Sequence, residues 1–223
     1  MPSKTQMNDD RLVECFVASF DKLDNMTVFK ETDPAAWQLS VGNAGQYGFR
    51  HWRPKRVTSN KSLLQPIYSQ LPAPFPPLYE RLVLSFRWAE VDLQVCRLLA
   101  NPPGPDLGAL FQEISGDPKL WKYLREAGYV QFGRGPDMDY DPVCFDTNSS
   151  KNSKAYKIVK IDHEEILCNG RVKIVGELAP SFRDLMLLTI DRAEKHGSAK
   201  VRVLCAPLRP FLNSMRVAGL LLC

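Results

Sequence analysis

Four short β-prone runs crowd into residues 129–177, and helical patterns gather before and after them. The runs are 129–132, 143–146, 156–162 and 172–177. In Tyr156-Lys-Ile-Val-Lys-Ile161 polar and apolar residues nearly alternate, the period of a strand with one buried face. Asn169-Gly170, before the last run, is a dipeptide that favours a tight antiparallel turn. The strand–helix–strand–helix rhythm of a doubly wound parallel sheet is missing. The pattern therefore predicts an α+β fold, an antiparallel sheet flanked by helices. Phe145 and Ile161 are expected to face its core, because Asp146 and Asp162 follow them and alternation sends those to the other side.

The flanks read as follows. Asp9 and Asp10 suit the cap of a helix whose apolar positions are Leu12, Phe16, Val17, Phe20 and Leu23. Val28-Phe29 and Trp37-Gln-Leu-Ser-Val41 read as short strands, with turn chemistry in Gly42-Asn-Ala-Gly-Gln-Tyr-Gly48. Pro72, Pro74, Pro76 and Pro77 then break the chain, which divides it into an N-terminal extension (1–70), a main domain (71–195) and an unassigned tail (196–223). A helix over 78–88 starts behind Pro76-Pro77. Val91-Asp-Leu-Gln-Val95 reads as a strand, and 107–114 and 118–127 as helices, the second capped by Asp117 and stopped by Gly128. A last helix opens at Pro180-Ser-Phe-Arg and runs towards His196.

Composition narrows the functional classes. Of 223 residues, 44% are hydrophobic and 24% charged, which permits a buried core and argues against a disordered or fibrous chain. Lys+Arg 29 against Asp+Glu 25 gives a net charge of +4, too weak a bias for an obligate nucleic-acid binder. The cysteines, Cys15, Cys96, Cys144, Cys168, Cys205 and Cys223, form no C-x-x-C pair, so no zinc ribbon or thioredoxin-type site is signalled. The N-terminus has no apolar targeting segment, and no stretch approaches the roughly 18 apolar residues of a membrane span. These features place the chain in the cytoplasm with reduced thiols and no membrane partner.

The catalytic templates are each broken. Gly128 and Gly133 have the spacing of a phosphate loop, but Arg134-Gly135 stands where Lys-Ser/Thr is required. Asp137, Asp139 and Asp141 copy the first ligands of a calcium loop, yet Pro142 replaces the turning glycine and Asn148 the closing Glu. His163-Glu164-Glu165 begins like a zinc-protease helix, with Leu167 in place of the second histidine. Cys144 and His163 would make a nucleophile–base pair without an orienting third group. No cofactor or metal is expected, and no catalytic residue is assigned.

Two charged segments remain. In an extended stretch Asp137, Asp139 and Asp141 would point to one side, around Tyr140, and repel each other unless a cation meets them. Arg50-His-Trp-Arg-Pro-Lys-Arg56 interleaves aromatics with bases and suits an anionic surface or nucleic acid.

The stretch 71–195 resembles the SUKH superfamily, which groups yeast cell-wall assembly regulators with bacterial toxin-immunity proteins. The residues that carry the resemblance are Tyr140-Asp-Pro-Val-Cys-Phe-Asp146, Tyr156-Lys-Ile-Val-Lys-Ile-Asp-His-Glu-Glu165 and Ala179-Pro-Ser-Phe182, preceded by Leu71-Pro72 and Leu78-Tyr79-Glu80. The extension and the tail have no counterpart in it. The resemblance implies an α+β domain with a protein-binding face and no known chemistry, in some members a toxin-neutralising one. Together with the broken templates it gives the leading expectation: a non-enzymatic protein-binding domain whose partner, such as a basic toxin domain, meets Asp137, Asp139, Tyr140, Asp141, His163, Glu164 and Glu165. The alternatives are a hydrolase or transferase using Cys144 and His163, and an anionic-surface or nucleic-acid binder using Arg50 to Arg56.

Overall fold

The computed structural model describes residues 7–24, 26–45 and 47–204, with side chains as far as residue 196. The first helix, α1 (Asp9–Val17), is capped by Asn8, whose Oδ1 accepts from the Arg11 N–H at 2.9 Å. Asp9 and Asp10 lie in its first turn, where negative charge favours the helix dipole. The pattern that predicts one helix to Leu23 is interrupted at Ser19, which donates its hydroxyl to the Phe16 carbonyl, and a single turn, α2 (Phe20–Leu23), follows. Three two- or three-residue strands, β1 (Thr27–Val28), β2 (Ser40–Val41) and β3 (Arg50–Trp52), make a small sheet in the order β1-β3-β2. The expected strand at Trp37 is a 3₁₀ turn over Ala36–Leu39.

Strand β4 (Lys55–Arg56) comes next, then α3 (Gln65–Tyr68) and α4 (Pro77–Ser85), which starts on the double proline as expected. β5 (Phe86–Arg87) pairs antiparallel with β4. The last carbonyls of α4 lack helical partners, as at any helix end. Arg87 and Asn101 meet them: both side chains donate to the carbonyls of Val83 and Phe86. Arg87 also reaches Ser59 Oγ at 2.9 Å, so this residue, only 4% exposed, makes three hydrogen bonds through its two terminal nitrogens.

The main sheet is built from β6 (Val91–Asp92), β7 (Arg97–Leu98), β8 (Tyr129–Arg134), β9 (Pro142–Asp146), β10 (Lys157–Ile161) and β11 (Ile174–Ala179). Every neighbouring pair is antiparallel, and the spatial order follows the chain order, so the sheet is a six-stranded meander. The fold is α+β. Helices α5 (Gly108–Ser115) and α6 (Pro118–Glu126) fill the β7–β8 connection, with Asp117 capping α6 through the N–H groups of Lys119 and Leu120. The expected strand over 91–95 is instead a hairpin, turning on Gln94 at φ +62°.

The largest correction concerns Asn169-Gly170. It is not a hairpin turn: a helix, α7 (His163–Asn169), stands between β10 and β11, and Gly170 at φ +61° closes its C-terminus. The Gly170 N–H donates to the Ile166 carbonyl and the Arg171 N–H to that of Glu165, the bonding that a left-handed residue after a helix permits. β11 then pairs with β10 with register shifts that leave Val175 and Leu178 as extra residues. The last helix, α8 (Phe182–Leu204), continues past His196; residues 205–223 of the expected tail lie outside the described residues.

The sheet has two buried faces. Val130, Phe132, Val143, Phe145 and Ile158 join the main core with α1, α4 and α8. Phe132 and Phe145 stack at 4.2 Å, and Tyr79 and Phe182 set their rings edge-on to Phe145 at 5.3 and 5.7 Å. The opposite face carries Cys144, Val159 and Ile161 against Leu124 of α6 and Ile166 of α7. Phe145 and Ile161 are both buried as expected, but on opposite faces, because Phe145 pairs with Ile158 and Ile161, three residues further along β10, points to the other side. The N-terminal extension is not set apart by its prolines: Leu12, Phe16 and Trp52 belong to the same core as Phe182, and Arg183 pairs with Asp9 at 3.0 Å.

Phe145→Ala should cost about 3–5 kcal/mol and Ile161→Ala about 2–5 kcal/mol in denaturant titrations. Tyr79 is fully buried and its hydroxyl has no hydrogen-bond partner among the described residues. Tyr79→Phe should therefore leave stability unchanged or raise it by about 1 kcal/mol, and a clear loss in the same titration would show that the hydroxyl is satisfied after all.

Candidate functional site

The β8–β9 connection, Gly135-Pro-Asp-Met-Asp-Tyr-Asp141, is held from every side. Its ends are closed by the Gly135 N–H on the Asp141 carbonyl at 2.9 Å, and its middle by the Asp139 N–H on the Pro136 carbonyl at 3.1 Å. Asp139 Oδ1 accepts from the Asp141 N–H at 2.9 Å, a local turn that aspartate makes readily. Asp139 lies directly over Gly135, where a Cβ would come within 2.2 Å of its carboxyl carbon, so only glycine leaves room. Asp137 sits in the left-handed region at φ +53°, and its N–H donates to Asp92 Oδ2 at 2.9 Å.

Cations from neighbouring strands complete the hold. Arg97 of β7 donates to the Gly135 carbonyl at 3.1 Å and the Asp139 carbonyl at 3.2 Å, and lies 5.6 Å from the centre of the Tyr140 ring. Lys160 of β10 places Nζ 2.8 Å from Asp139 Oδ2 and 3.5 Å from Asp141 Oδ2. Asp141 Oδ1 accepts from the His163 N–H at 3.0 Å and lies 2.7 Å from its Nδ1, which ties the loop to the first turn of α7. Behind Arg97 the chain of charges goes on: Glu90 bridges Arg97 and Arg134, and Arg134 reaches Glu113 at 3.6 Å.

The electrostatics follow from these contacts. Burial by itself pushes the Asp139 carboxyl upward, but the hydrogen bonds from Lys160 and the Asp141 N–H, with the charges of Lys160 and His163, outweigh it and hold the group below its ordinary range. The Asp139 hydrogen bond raises Lys160 in return, against the opposing effect of burial.

The expected acidic face is thereby corrected. The segment is a closed loop and not an extended strand, and for Asp139 and Asp141 the cation comes from the chain itself. Asp139, Tyr140, Asp141 and His163 are brought together, with Tyr140 and His163 rings 6.5 Å apart. Asp137 and Glu164 are exposed, and among the described residues no cation lies within ion-pair distance of either carboxylate. Glu165 turns away to Arg171 at 2.9 Å. Sequence reasoning missed Arg97, Lys160 and Met138. Met138 is 74% exposed and Tyr140 52%, two large apolar side chains held out by a fixed loop. The signal for Lys160 was present, since the polar positions of the β10 alternation are both lysine.

The rival residues fall elsewhere. The Cys144 thiol is enclosed with Leu124, Val159, Ile161 and Ile166, and burial, with Asp146 adding, pushes it well above its ordinary value. No hydrogen bond joins it to His163 among the described residues. The basic run is divided by the strand: Arg50 lies over Trp37 at 4.7 Å, Trp52 is buried, and Arg56 pairs with Glu14 at 2.9 Å. Among the described residues no group of three or more His, Cys, Asp or Glu is placed to hold a metal ion, and no helix is long and apolar enough to cross a membrane. Comparison with protein-family models, with curated proteins and with solved structures gives no match.

Asp139→Asn should lower stability by about 1 kcal/mol near neutral pH. A carboxyl held below its ordinary value stabilises the fold above that value and loses its effect as pH falls through the folded one. The gap between the two proteins should therefore shrink in urea titrations as pH is lowered past the ordinary aspartate range and through the lower folded one; a gap of unchanged size across that range would mean that the charge on Asp139 is not what matters.

Proposed function

We propose that the chain is a non-enzymatic protein-binding domain of SUKH type and that its binding face is the loop 135–141 with the start of α7. One observation carries this reading: Met138 and Tyr140 are exposed on a loop whose backbone is fixed by Arg97, Lys160, Asp92 and His163. A fixed loop loses little freedom on binding, and tyrosine is among the side chains that anchor protein interfaces most often. Asp137 and Glu164 flank the anchors with negative charge that no cation among the described residues meets, which suits a partner with a basic rim. The segments that resemble the SUKH pattern fall on β9, on β10 with α7, and at the entry to α8, the order of strand, strand and helix that the resemblance implies. A basic toxin domain is the partner that the resemblance supplies, in the cytoplasm.

The test uses the full chain as bait in an extract of its native cells, beside a Met138→Ser/Tyr140→Ser variant. The double variant should unfold within about 1 kcal/mol of the parent, since both side chains are exposed, and should lose the captured protein. Asp137→Asn/Glu164→Gln should slow capture at low ionic strength and match the parent at high salt. Equal capture by parent and Met138→Ser/Tyr140→Ser would place the binding face elsewhere.

A further inference from the structure

The short strand pair that follows α4 sets two cations against each other. Lys55 of β4 and Arg87 of β5 are register partners. Directly opposed residues of an antiparallel pair point to the same side, where like charges repel. Both line a cleft of about 410 Å³ with Thr58, Ser59, Asn60 and Gly104, and among the described residues no acidic side chain lines it. Two neighbouring bases are answered: Arg56 pairs with Glu14 and Lys61 with Glu80. Lys55 and Arg87 have no ion pair among the described residues.

Arg87 is the costlier charge to leave alone. The residue is only 4% exposed, and a buried charge without a counter-charge costs far more than an exposed one. Its three hydrogen bonds go to the Val83 and Phe86 carbonyls and to Ser59 Oγ, all neutral. A guanidinium has five N–H donors, so the Nε–H and one terminal N–H keep no acceptor among the described residues. Burial lowers the pKa of the group, and no acidic side chain among the described residues raises it again. Ser59 accepts from Arg87, which leaves its own hydroxyl hydrogen to donate. The cleft thus offers two cations and free donors but no anion.

We propose that this cleft binds a phosphoryl dianion, its oxygens on the free N–H groups of Arg87, the Lys55 ammonium and the Ser59 hydroxyl. A guanidinium and an ammonium on one tetrahedral dianion make charge-assisted hydrogen bonds and neutralise each other's partner, whereas a carboxylate would leave one cation unmet. A free phosphate or small phosphate ester and the phosphorylated side chain of another protein share this chemistry. The site shares no residue with the loop 135–141, so it stands whether or not that loop binds a protein.

Calorimetric titration of the full chain at constant ionic strength and about pH 7.5, where a phosphate ester is doubly charged, tests it. The probes are inorganic phosphate, Nα-acetyl-phosphoserine methylamide, sodium acetate and sodium chloride. Saturable binding of phosphate is expected, with none by acetate or chloride. Tighter binding of the phosphoserine amide than of phosphate assigns a phosphorylated side chain as the natural guest; binding no tighter than phosphate assigns a small free anion. Replacing Arg87 would also disturb the carbonyls at the end of α4, so the variants are made at Lys55, which is exposed. Lys55→Gln should weaken phosphate binding about tenfold or more by removing one of the two charges. Lys55→Glu should abolish it and raise the melting temperature of the phosphate-free chain, because opposite charges then face each other across β4 and β5. Absence of saturation, equal binding of acetate, or parental affinity in either variant would overturn the proposal.

Discussion

The packing depends on the stack of Phe132 on Phe145. These rings come from adjacent strands, β8 and β9, and they form the platform on which Tyr79 of α4 and Phe182 of α8 set their edges. Phe16 of α1 reaches the same group through Phe182 at 6.1 Å. Three helices far apart in sequence thus share one aromatic contact. Edge-to-face rings are selective about angle as well as distance, so the stack fixes how the helices lie on the sheet as well as that they lie on it. The N-terminal segment belongs to the domain for this reason, despite the prolines that separate it in sequence.

The other face of the sheet explains why the loop and α7 are where they are. Leu124, Cys144, Val159, Ile161 and Ile166 form a second, smaller apolar cluster that draws α6 and α7 onto the strands. Seating α7 there brings His163 to Asp141, and Lys160, near the end of β10 that leads into α7, reaches Asp139. The polar loop is therefore organised by apolar packing on its flank.

The α+β class, the strands around Val143, Ile158 and Ile174 and the helices α4, α5, α6 and α8 were legible in the sequence, because periodicity and proline or aspartate caps are local signals. Asn169-Gly170 misled because the same glycine that makes a hairpin also closes a helix; Asp162 with Glu165, three residues on, marks the helix start and was the distinguishing sign, since Asp162 Oδ1 accepts from the Glu165 N–H. Within the candidate site, the acids and Tyr140 could be read from their clustering. Their compensation could not: Lys160 is 21 residues from Asp139 and Arg97 is 42, and only the pairing of strands reveals that they meet.

The two extra residues in β11 have a consequence beyond their own register. This strand is the outer one of the sheet among the described residues, and Ile174 and Val175 on it are exposed. A straight strand of that composition would be a template on which other copies could add, one after another, in the manner of a growing fibril. The shifts at Val175 and Leu178 break the even spacing of donors and acceptors that such growth requires, and Lys157 clasping Glu177 at 2.8 Å sets charge beside it. The irregularity thus makes this edge a poor template for a further strand.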